Sequence, residues 1–363
     1  MITVAALDSL PTPVVAIELE AMEANIRAMQ EVCTRHGVQL WPHIKTHKMV
    51  EIARRQLAAG AAGLTCAKLG EAEAMLPSGV RRIFIAHSLV DLRQAPRLRR
   101  LRESLDELVL AVTSPLHAAA LERLLAHAGL TLPVLMAVDT GLGREGARTA
   151  AGAQETARAI AASPHLRLIG LYTHEGQTYG LPPAERPAFT RDVLARLAAV
   201  RDTIDPRLTL WPGCSVTAST MAQLPGVHAV RPGAYVLADL ALAETTQVVG
   251  REGCALTVVA TVVDKPEPDL ALIDAGSKVF SSDKTPAGHA GRAADGRDLN
   301  VVRCNEEHGY VRGSDVAGVA IGDRIAFIPA HVCTVVNLTD TVAVVAQGRL
   351  AATWRVDARG KVT

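Results

Sequence analysis

The sequence predicts an α/β protein in two parts: a closed (β/α)8 TIM-like barrel over residues 1–243 and a C-terminal all-β domain over residues 244–363. Residues up to Thr12 are free to pack with the second part. Two observations carry this division. Up to Leu240, short apolar runs alternate with amphipathic helical stretches about eight times, a count that favours a closed barrel over an open doubly wound sheet. Beyond Ala243 the runs become rich in β-branched residues and are divided by Gly, Pro and Asp turns, leaving little room for helices. With 363 residues, 49% of them hydrophobic and 21% charged, the chain can bury one large core or two moderate ones.

The predicted barrel strands are residues 14–19, 40–44, 64–67, 83–86, 108–112, 134–138, 168–172, 208–211 and 227–230. Between the first two, Met22, Ile26, Met29 and Cys33 fall at helical spacing, with Glu20, Glu23 and Arg27 on other faces. A helix over residues 51–59, stopped by Gly60, follows the strand over 40–44. In the second domain, residues 254–263, 270–273, 325–328, 333–338 and 342–346 read as strands, and the glycine-rich, polar stretch 281–300 reads as a mobile loop.

Charge removes several function classes. Lys plus Arg number 38 against 37 for Asp plus Glu, a net charge of +1, so there is no electrostatic case for nucleic acid or acidic membranes. The N-terminus lacks the basic region and apolar block of a signal peptide, and no run approaches the ~20 apolar residues of a membrane span. The expectation is a cytoplasmic protein with a small-molecule partner. Six scattered cysteines without short regular spacing argue against a disulfide framework or a Cys-x-x-Cys knuckle, and most read as reduced core residues.

Chemistry concentrates at predicted strand ends, where barrel enzymes build their sites. Lys45, in Trp41-Pro42-His43-Ile44-Lys45-Thr46-His47-Lys48, lies where a βα unit turns. A lysine beside other cations can lose its proton and become a nucleophilic amine for carbonyl chemistry. The competing reading is a solvated basic loop. Residues 213–217 (Gly213-Cys214-Ser215-Val216-Thr217) and 231–235 (Arg231-Pro232-Gly233-Ala234-Tyr235) follow the last two predicted strands, where backbone N–H groups can receive a phosphate. Arg144, just past another strand end, can face an anionic oxygen or form a surface ion pair, and His174 can stack on a flat ring or pack structurally. His331-Val332-Cys333 follows Pro329 in a strand-like run, so both side chains project to one face at period two. Imidazole plus thiolate make a two-ligand metal pair, for which Zn²⁺ is the natural ion. Residues 305–309 (Asn305-Glu306-Glu307-His308-Gly309) offer that pair a supporting group or a base, or form a polar turn.

The motifs Pro42-His43-Ile44-Lys45-Thr46-His47-Lys48, Asp139-Thr140-Gly141 through Arg144, His174-Glu175-Gly176, Arg231-Pro232-Gly233, Asp274-Ala275-Gly276, Glu307-His308-Gly309 and His331-Val332-Cys333 stand in a telling order. In that order they resemble the D-threonine aldolase and D-serine dehydratase family, fold-type III pyridoxal-phosphate (PLP) enzymes related to alanine racemase. The resemblance implies a barrel of the alanine racemase N-terminal type, a homodimer, PLP, a divalent metal (Zn, Mn or Mg) and a small D-amino-acid substrate. By matching motif, Lys45 is the Schiff-base lysine. Arg144 resembles the arginine facing the PLP phenolate, His174 the residue flanking the ring, and Arg231 an arginine that contacts the pyridine nitrogen. Gly213, Ser215 and Thr217 with Gly233, Ala234 and Tyr235 resemble the phosphate cradle, and His331 and Cys333 the metal ligands near the substrate hydroxyl.

Cys333 points toward a dehydratase, as does the stretch 174–180, whereas 266–269, 273–278 and 334–340 resemble the aldolase C-terminal domain. The reading taken is a D-threonine aldolase, cleaving a D-3-hydroxy-amino acid to glycine and an aldehyde, with a metal-bound water or an imidazole such as His43 or His308 as base. The alternative is a D-serine or D-3-hydroxyaspartate dehydratase giving a keto acid and ammonia, in which Lys45 takes the α-proton. An amino-acid racemase is the third reading. A PLP-binding protein without turnover would lack the second domain.

Overall fold

The structure is a computed structural model that describes Ile2 and every residue from Val4 to Thr363; the reading of the N-terminus rests in part on Met1 and Thr3, which lie outside the described residues. Its first nine strands are β1 (Val14–Glu18), β2 (Gln39–Leu40), β3 (Leu64–Cys66), β4 (Arg82–Ile85), β5 (Glu107–Val112), β6 (Leu132–Ala137), β7 (Leu166–Tyr172), β8 (Thr209–Trp211) and β9 (Ala229–Val230). Eight more follow: β10 (Leu256–Glu267), β11 (Leu270–Ile273), β12 (Gly291–Ala293), β13 (Asn300–Cys304), β14 (Gly309–Arg312), β15 (Arg324–Pro329), β16 (Thr341–Ala346) and β17 (Arg349–Arg355). They fall into two compact units. One gathers Ala28–Lys45, Ile52–Gly233 and Lys361–Thr363; the other gathers the segment ending at Arg27, Thr46–Glu51 and Ala234–Gly360.

The first unit is the barrel. Strands β3 to β8 form a six-stranded parallel sheet in sequence order, and β2 pairs in parallel with β9. The Thr65 amide donates to the Pro42 carbonyl (2.8 Å) and the Ile44 amide to the Thr65 carbonyl (2.9 Å), while the His228 amide donates to the Leu210 carbonyl (2.9 Å). These bonds join the pair to both edges of the sheet and close a ring of eight strands. Strands covered on both faces read as continuous apolar runs, and β6 is buried at all six positions. Large rings fill the interior: Trp41 and Trp211 lie 4.9 Å apart, and Phe84 meets Tyr172 edge to face at 5.3 Å. The outer helices are bounded by local chemistry. Helix Pro115–Ala128 starts where Ser114 Oγ accepts the His117 amide (3.1 Å) and stops at Gly129, whose φ of +65° a glycine adopts without strain.

The second unit is a nine-stranded sheet in the order β11-β14-β13-β12-β15-β10-β1-β16-β17. Here the structure departs from the sequence reading in four ways. Strand β1 was expected in the barrel; instead it pairs antiparallel with β10 (Val14 opposite Val259) and parallel with β16 (Ala16 opposite Ala343). A short buried run carries no mark of which sheet will take it, so the division at 243/244 is replaced by one in which the chain leaves the β unit within its first helix, Leu19–Arg35, rejoins it briefly over Thr46–Glu51 and returns to it at Ala234. Residues 333–338 are not a strand but lie in a helix, Val332–Leu338. Val332, Val335 and Val336 sit buried at helical spacing there, a pattern that outweighs their β-branched chemistry. The stretch 281–300 contains β12, paired with both β13 and β15. Finally, β13, β14 and β17, which carry charged or polar residues among their apolar ones, went unread.

One quoted motif is structural. Asp274 accepts the Thr261 amide through Oδ1 (2.8 Å) and the Thr12 hydroxyl through Oδ2 (2.5 Å). At Gly276 a Cβ would stand 2.2 Å from the Asn305 carbonyl oxygen, so only glycine lets the β13–β14 turn lie there. All six cysteines are free thiols, with Cys33, Cys66, Cys214 and Cys254 buried. Among the described residues no helix is long and apolar enough to cross a membrane.

Candidate active site

The basic string is not a solvated loop. Pro42 to Ile44 are pinned in the barrel wall, where the His43 amide donates to the Pro232 carbonyl (2.9 Å) and Ile44 is fully buried. Lys45 follows at the strand end with its side chain exposed, and its amide donates to His43 Nδ1 (3.4 Å). That bond makes Nδ1 of His43 an acceptor and orients the turn. The remaining residues belong to the other unit and are buried. Thr46 Oγ1 lies 3.2 Å from Cys333 Sγ, the Met49 amide donates to His47 Nδ1 (3.1 Å), and Lys48 Nζ donates to the Ala358 carbonyl (3.4 Å).

At the end of β7, His174 donates from Nδ1 to the Gly213 carbonyl (2.7 Å), leaving Nε2 as the unprotonated nitrogen of the neutral ring. Burial above all, with the positive charges of Lys45, Arg144 and Arg231, pushes this imidazole down to about 4 from 6.5. Arg144 is half-exposed, 3.6 Å from Glu145. Arg231 is buried with its guanidinium over the rings of Phe84 and Tyr172, at 5.4 and 5.1 Å. It donates to the carbonyls of Thr173 (2.7 Å) and Trp211 (3.3 Å). Arg144, Glu145, Tyr172, Thr173 and His174 line one cleft, and Tyr172 Oη is buried without a hydrogen-bond partner among the described residues.

Glu175, which sequence reasoning passed over, organises the turn after β8. Its buried carboxylate accepts the Thr217 hydroxyl (2.6 Å) and the Gly213 amide (3.3 Å), and burial raises its pKa. Thr217 therefore spends its one hydroxyl proton on Glu175 rather than on an anion. Ser215 Oγ accepts the Gly233 amide (3.2 Å), tying the two glycine turns together, and a Cβ at Gly213 would come 2.9 Å from Cβ of Arg231. Ala234 and Tyr235 are buried in a short 3-10 turn of the other unit.

In the β unit, His331 and Cys333 are brought together at the start of helix Val332–Leu338, not along a strand. His331 has extended backbone (φ −146°) and Cys333 is already helical, which turns both side chains to one place. The neighbouring Cys333 first, then the charge of Asp239 and the hydrogen bond to Asp283, push the imidazole up to about 10 against the cost of burial. Buried Asp239 accepts the Val332 amide (3.1 Å) and the Leu242 amide (3.0 Å), fixing the helix start. Asp283 accepts from His331 Nδ1 at 2.8 Å. Neither aspartate was foreseen. His308 is exposed in the β13–β14 turn, where its carbonyl accepts the Asn305 amide (2.9 Å).

Both groups expected from the resemblance fit these residues. Three cations around His174, an orphaned tyrosine hydroxyl and a glycine turn too tight for a Cβ suit a flat, phosphorylated aldehyde. An imidazole and a thiol two residues apart at one helix start, with a carboxylate behind the imidazole, suit a divalent cation, although among the described residues no group of three or more His, Cys, Asp or Glu is gathered for one.

A closed parallel barrel that presents a lysine at a strand end among cations, joined in one chain to a β unit, defines a PLP enzyme of the alanine racemase fold. Comparison with known proteins narrows this. The family model for the alanine racemase N-terminal domain matches residues 17–240, and that for a putative serine dehydratase domain matches residues 255–345. The D-threonine aldolase of Arthrobacter sp is 30% identical over 357 residues, 96% of this chain and 93% of its own length. The D-threo-3-hydroxyaspartate dehydratase of Delftia sp. (strain HT23) is 32% identical over 353 residues, 90% and 91% of the two chains. Among solved structures, D-threonine aldolase from Filomicrobium marinum superposes with a TM-score of 0.88 at 27% identity, covering 98% of this chain and 96% of its own. A cysteine-to-alanine mutant of D-threo-3-hydroxyaspartate dehydratase in the metal-free form gives 0.87 at 29%, covering 96% and 98%. The chain belongs to the alanine racemase N-terminal-domain family and, within it, to the D-threonine aldolase and D-serine dehydratase group; it is a PLP-dependent lyase.

One consequence of burying His174 can be measured directly. Between pH 6.5 and about 4 the unfolded chain takes up a proton that the folded ring refuses, so stability falls as pH falls through that window and is level above it. At ~1.4 kcal/mol per pKa unit the loss is about 3 kcal/mol. His174→Gln removes this part of the slope in urea unfolding measured across the window; equal slopes in the two proteins would refute the assignment.

Proposed function

We propose that the chain is a PLP- and divalent-metal-dependent lyase of D-3-hydroxy-amino acids that removes the β-hydroxyl, releasing a keto acid and ammonia. The observation that carries the choice of bond is the His331/Cys333 donor pair. The sequence reading leaned toward retro-aldol cleavage on the C-terminal segments. One finding supports dehydration instead: the dehydratase relative, one of whose cysteine-to-alanine mutants is solved in the metal-free form. Aldol cleavage needs a base for the hydroxyl proton. A metal at the His331/Cys333 pair would supply that base through its own water; of the imidazoles, His308 is exposed in a hairpin turn and Nδ1 of His43 accepts the Lys45 amide. Dehydration needs a base for the α-proton, and the exposed amine of Lys45 serves.

In this reading Lys45 holds the cofactor and, once displaced by substrate, moves the α-proton. Arg144 would serve the ring's anionic oxygen, His174, with its Nε2 unprotonated, would flank the ring, and Arg231, held by the Thr173 and Trp211 carbonyls, would serve the ring nitrogen. The amides of the turns at Gly213 and Gly233, with Ser215, receive the phosphate, and Ala234 and Tyr235 extend that cradle. His331 and Cys333 hold the metal, which is Zn, Mn or Mg. When bound, PLP supplies a sink for the electron pair left at Cα, and the metal a Lewis acid for the departing hydroxyl. The enamine that leaves is hydrolysed to keto acid and ammonia, so the water lost is regained.

The second reading, D-threonine aldolase, is favoured by the Arthrobacter relative, which aligns over 96% of this chain. A product assay on D-threonine, D-serine and D-threo-3-hydroxyaspartate separates them. Keto acid and ammonia in equal amounts are expected; glycine with an aldehyde would replace this reading with the aldolase, and interconversion of alanine enantiomers without metal would replace it with a racemase.

A further inference from the structure

Resting on that reading of the metal pair, we infer that Asp283 is the positioning residue of the metal centre: by accepting the Nδ1 proton of His331, it presents Nε2 as the ligating nitrogen. The bond is 2.8 Å. A carboxylate behind a ligating imidazole fixes both tautomer and ring orientation and makes the free nitrogen a better donor. Without it, an imidazole with 42% of its side chain exposed can rotate and offer either nitrogen.

Asp283 is itself held by a short network. The Thr334 hydroxyl lies 3.1 Å from the same carboxylate oxygen and 3.2 Å from the His331 carbonyl, so it braces both members of the pair. The Ser281 hydroxyl donates to Thr334 Oγ1 (2.9 Å) and accepts the Asp283 amide (3.2 Å). Ser281 has φ +67° and ψ −166°, a conformation that glycine normally occupies. There its side chain makes two of the network's hydrogen bonds. The Asp239 carboxylate takes the Val332 amide, which fixes the backbone between His331 and Cys333. A carboxylate 48 positions upstream of His331, in a stretch that sequence alone reads as a loop, thereby sets the geometry of the pair.

Cobalt(II) titration of the full-length protein tests this, since cobalt absorbance reports both affinity and a thiolate donor. Asp283→Ala is expected to weaken cobalt binding by roughly 10- to 100-fold while keeping the thiolate band at saturation. Asp283→Asn, whose amide oxygen still accepts the Nδ1 proton, is expected to recover part of the loss. Thr334→Val should show a smaller loss, and Cys333→Ala should lose the thiolate band outright. Thermal melts in chelator are expected to be alike for wild type and Asp283→Asn, separating positioning from folding. Asp283 variants that bind cobalt as tightly as wild type would overturn the inference while leaving the metal reading intact. A wild-type protein that binds no cobalt would overturn both.

Discussion

Replacing Lys45 with alanine is expected to abolish the absorbance near ~420 nm that belongs to the lysine-linked cofactor, and to reduce turnover on the order of 10^4-fold or more. Two roles disappear with one amine: the covalent hold on the aldehyde and the base for the α-proton. The fold should survive the change, because the Lys45 side chain is exposed while its backbone is held through His43 and its neighbour Ile44 is buried. Unchanged thermal unfolding in chelator, alongside lost colour, is the expected pair of results. Borohydride reduction of the native protein followed by peptide mapping checks the site independently. A pyridoxyl label on Lys48 or on any other lysine would end the assignment. Lys48 is the natural competitor in the motif, but it is buried against the Ala358 carbonyl.

The second large effect belongs to the metal pair. His331→Ala or Cys333→Ala, or chelation of the native protein, is expected to remove Lewis-acid assistance worth several kcal/mol, about 10^3-fold in kcat. The ~420 nm absorbance should remain, because cofactor binding is assigned to other residues. Restoration by a single added divalent ion in the chelated protein, and not in the alanine variants, completes the test. Variants that keep their turnover, or lose colour together with it, would show that the pair is not a metal site of this reaction.

What could be read in the sequence follows from how local its causes are. The barrel was legible because each βα unit repeats the same short grammar of apolar run, amphipathic helix and glycine stop, as in residues 40–60. The place of Lys45 at a strand end was legible because Pro42 to Ile44, its neighbours in sequence, make up that end. Strand β1 was not, since Val14–Glu18 looks like any other buried run and its partners lie more than two hundred residues away. Helix Val332–Leu338 was misread because a count of β-branched residues masked the spacing of Val332, Val335 and Val336. The carboxylates that support the site were the least legible. Glu175, Asp239 and Asp283 are each defined by a backbone amide, hydroxyl or imidazole that only the fold brings to them. Glu175 carried the one usable signal, its place directly after His174.

Strand β1 lies third from one end of its nine-stranded sheet, between partners of opposite direction. A fragment beginning at Ala234 would carry the metal pair and yet leave two unsatisfied strand edges, on β10 and β16, facing one another across an empty lane. The β unit is therefore not a portable module. On the ribosome, β1 (Val14–Glu18) must wait for β16 (Thr341–Ala346) before its second edge is covered. The barrel strands are synthesised between them, so the sheet of the β unit is completed only after the barrel's own strands have been made.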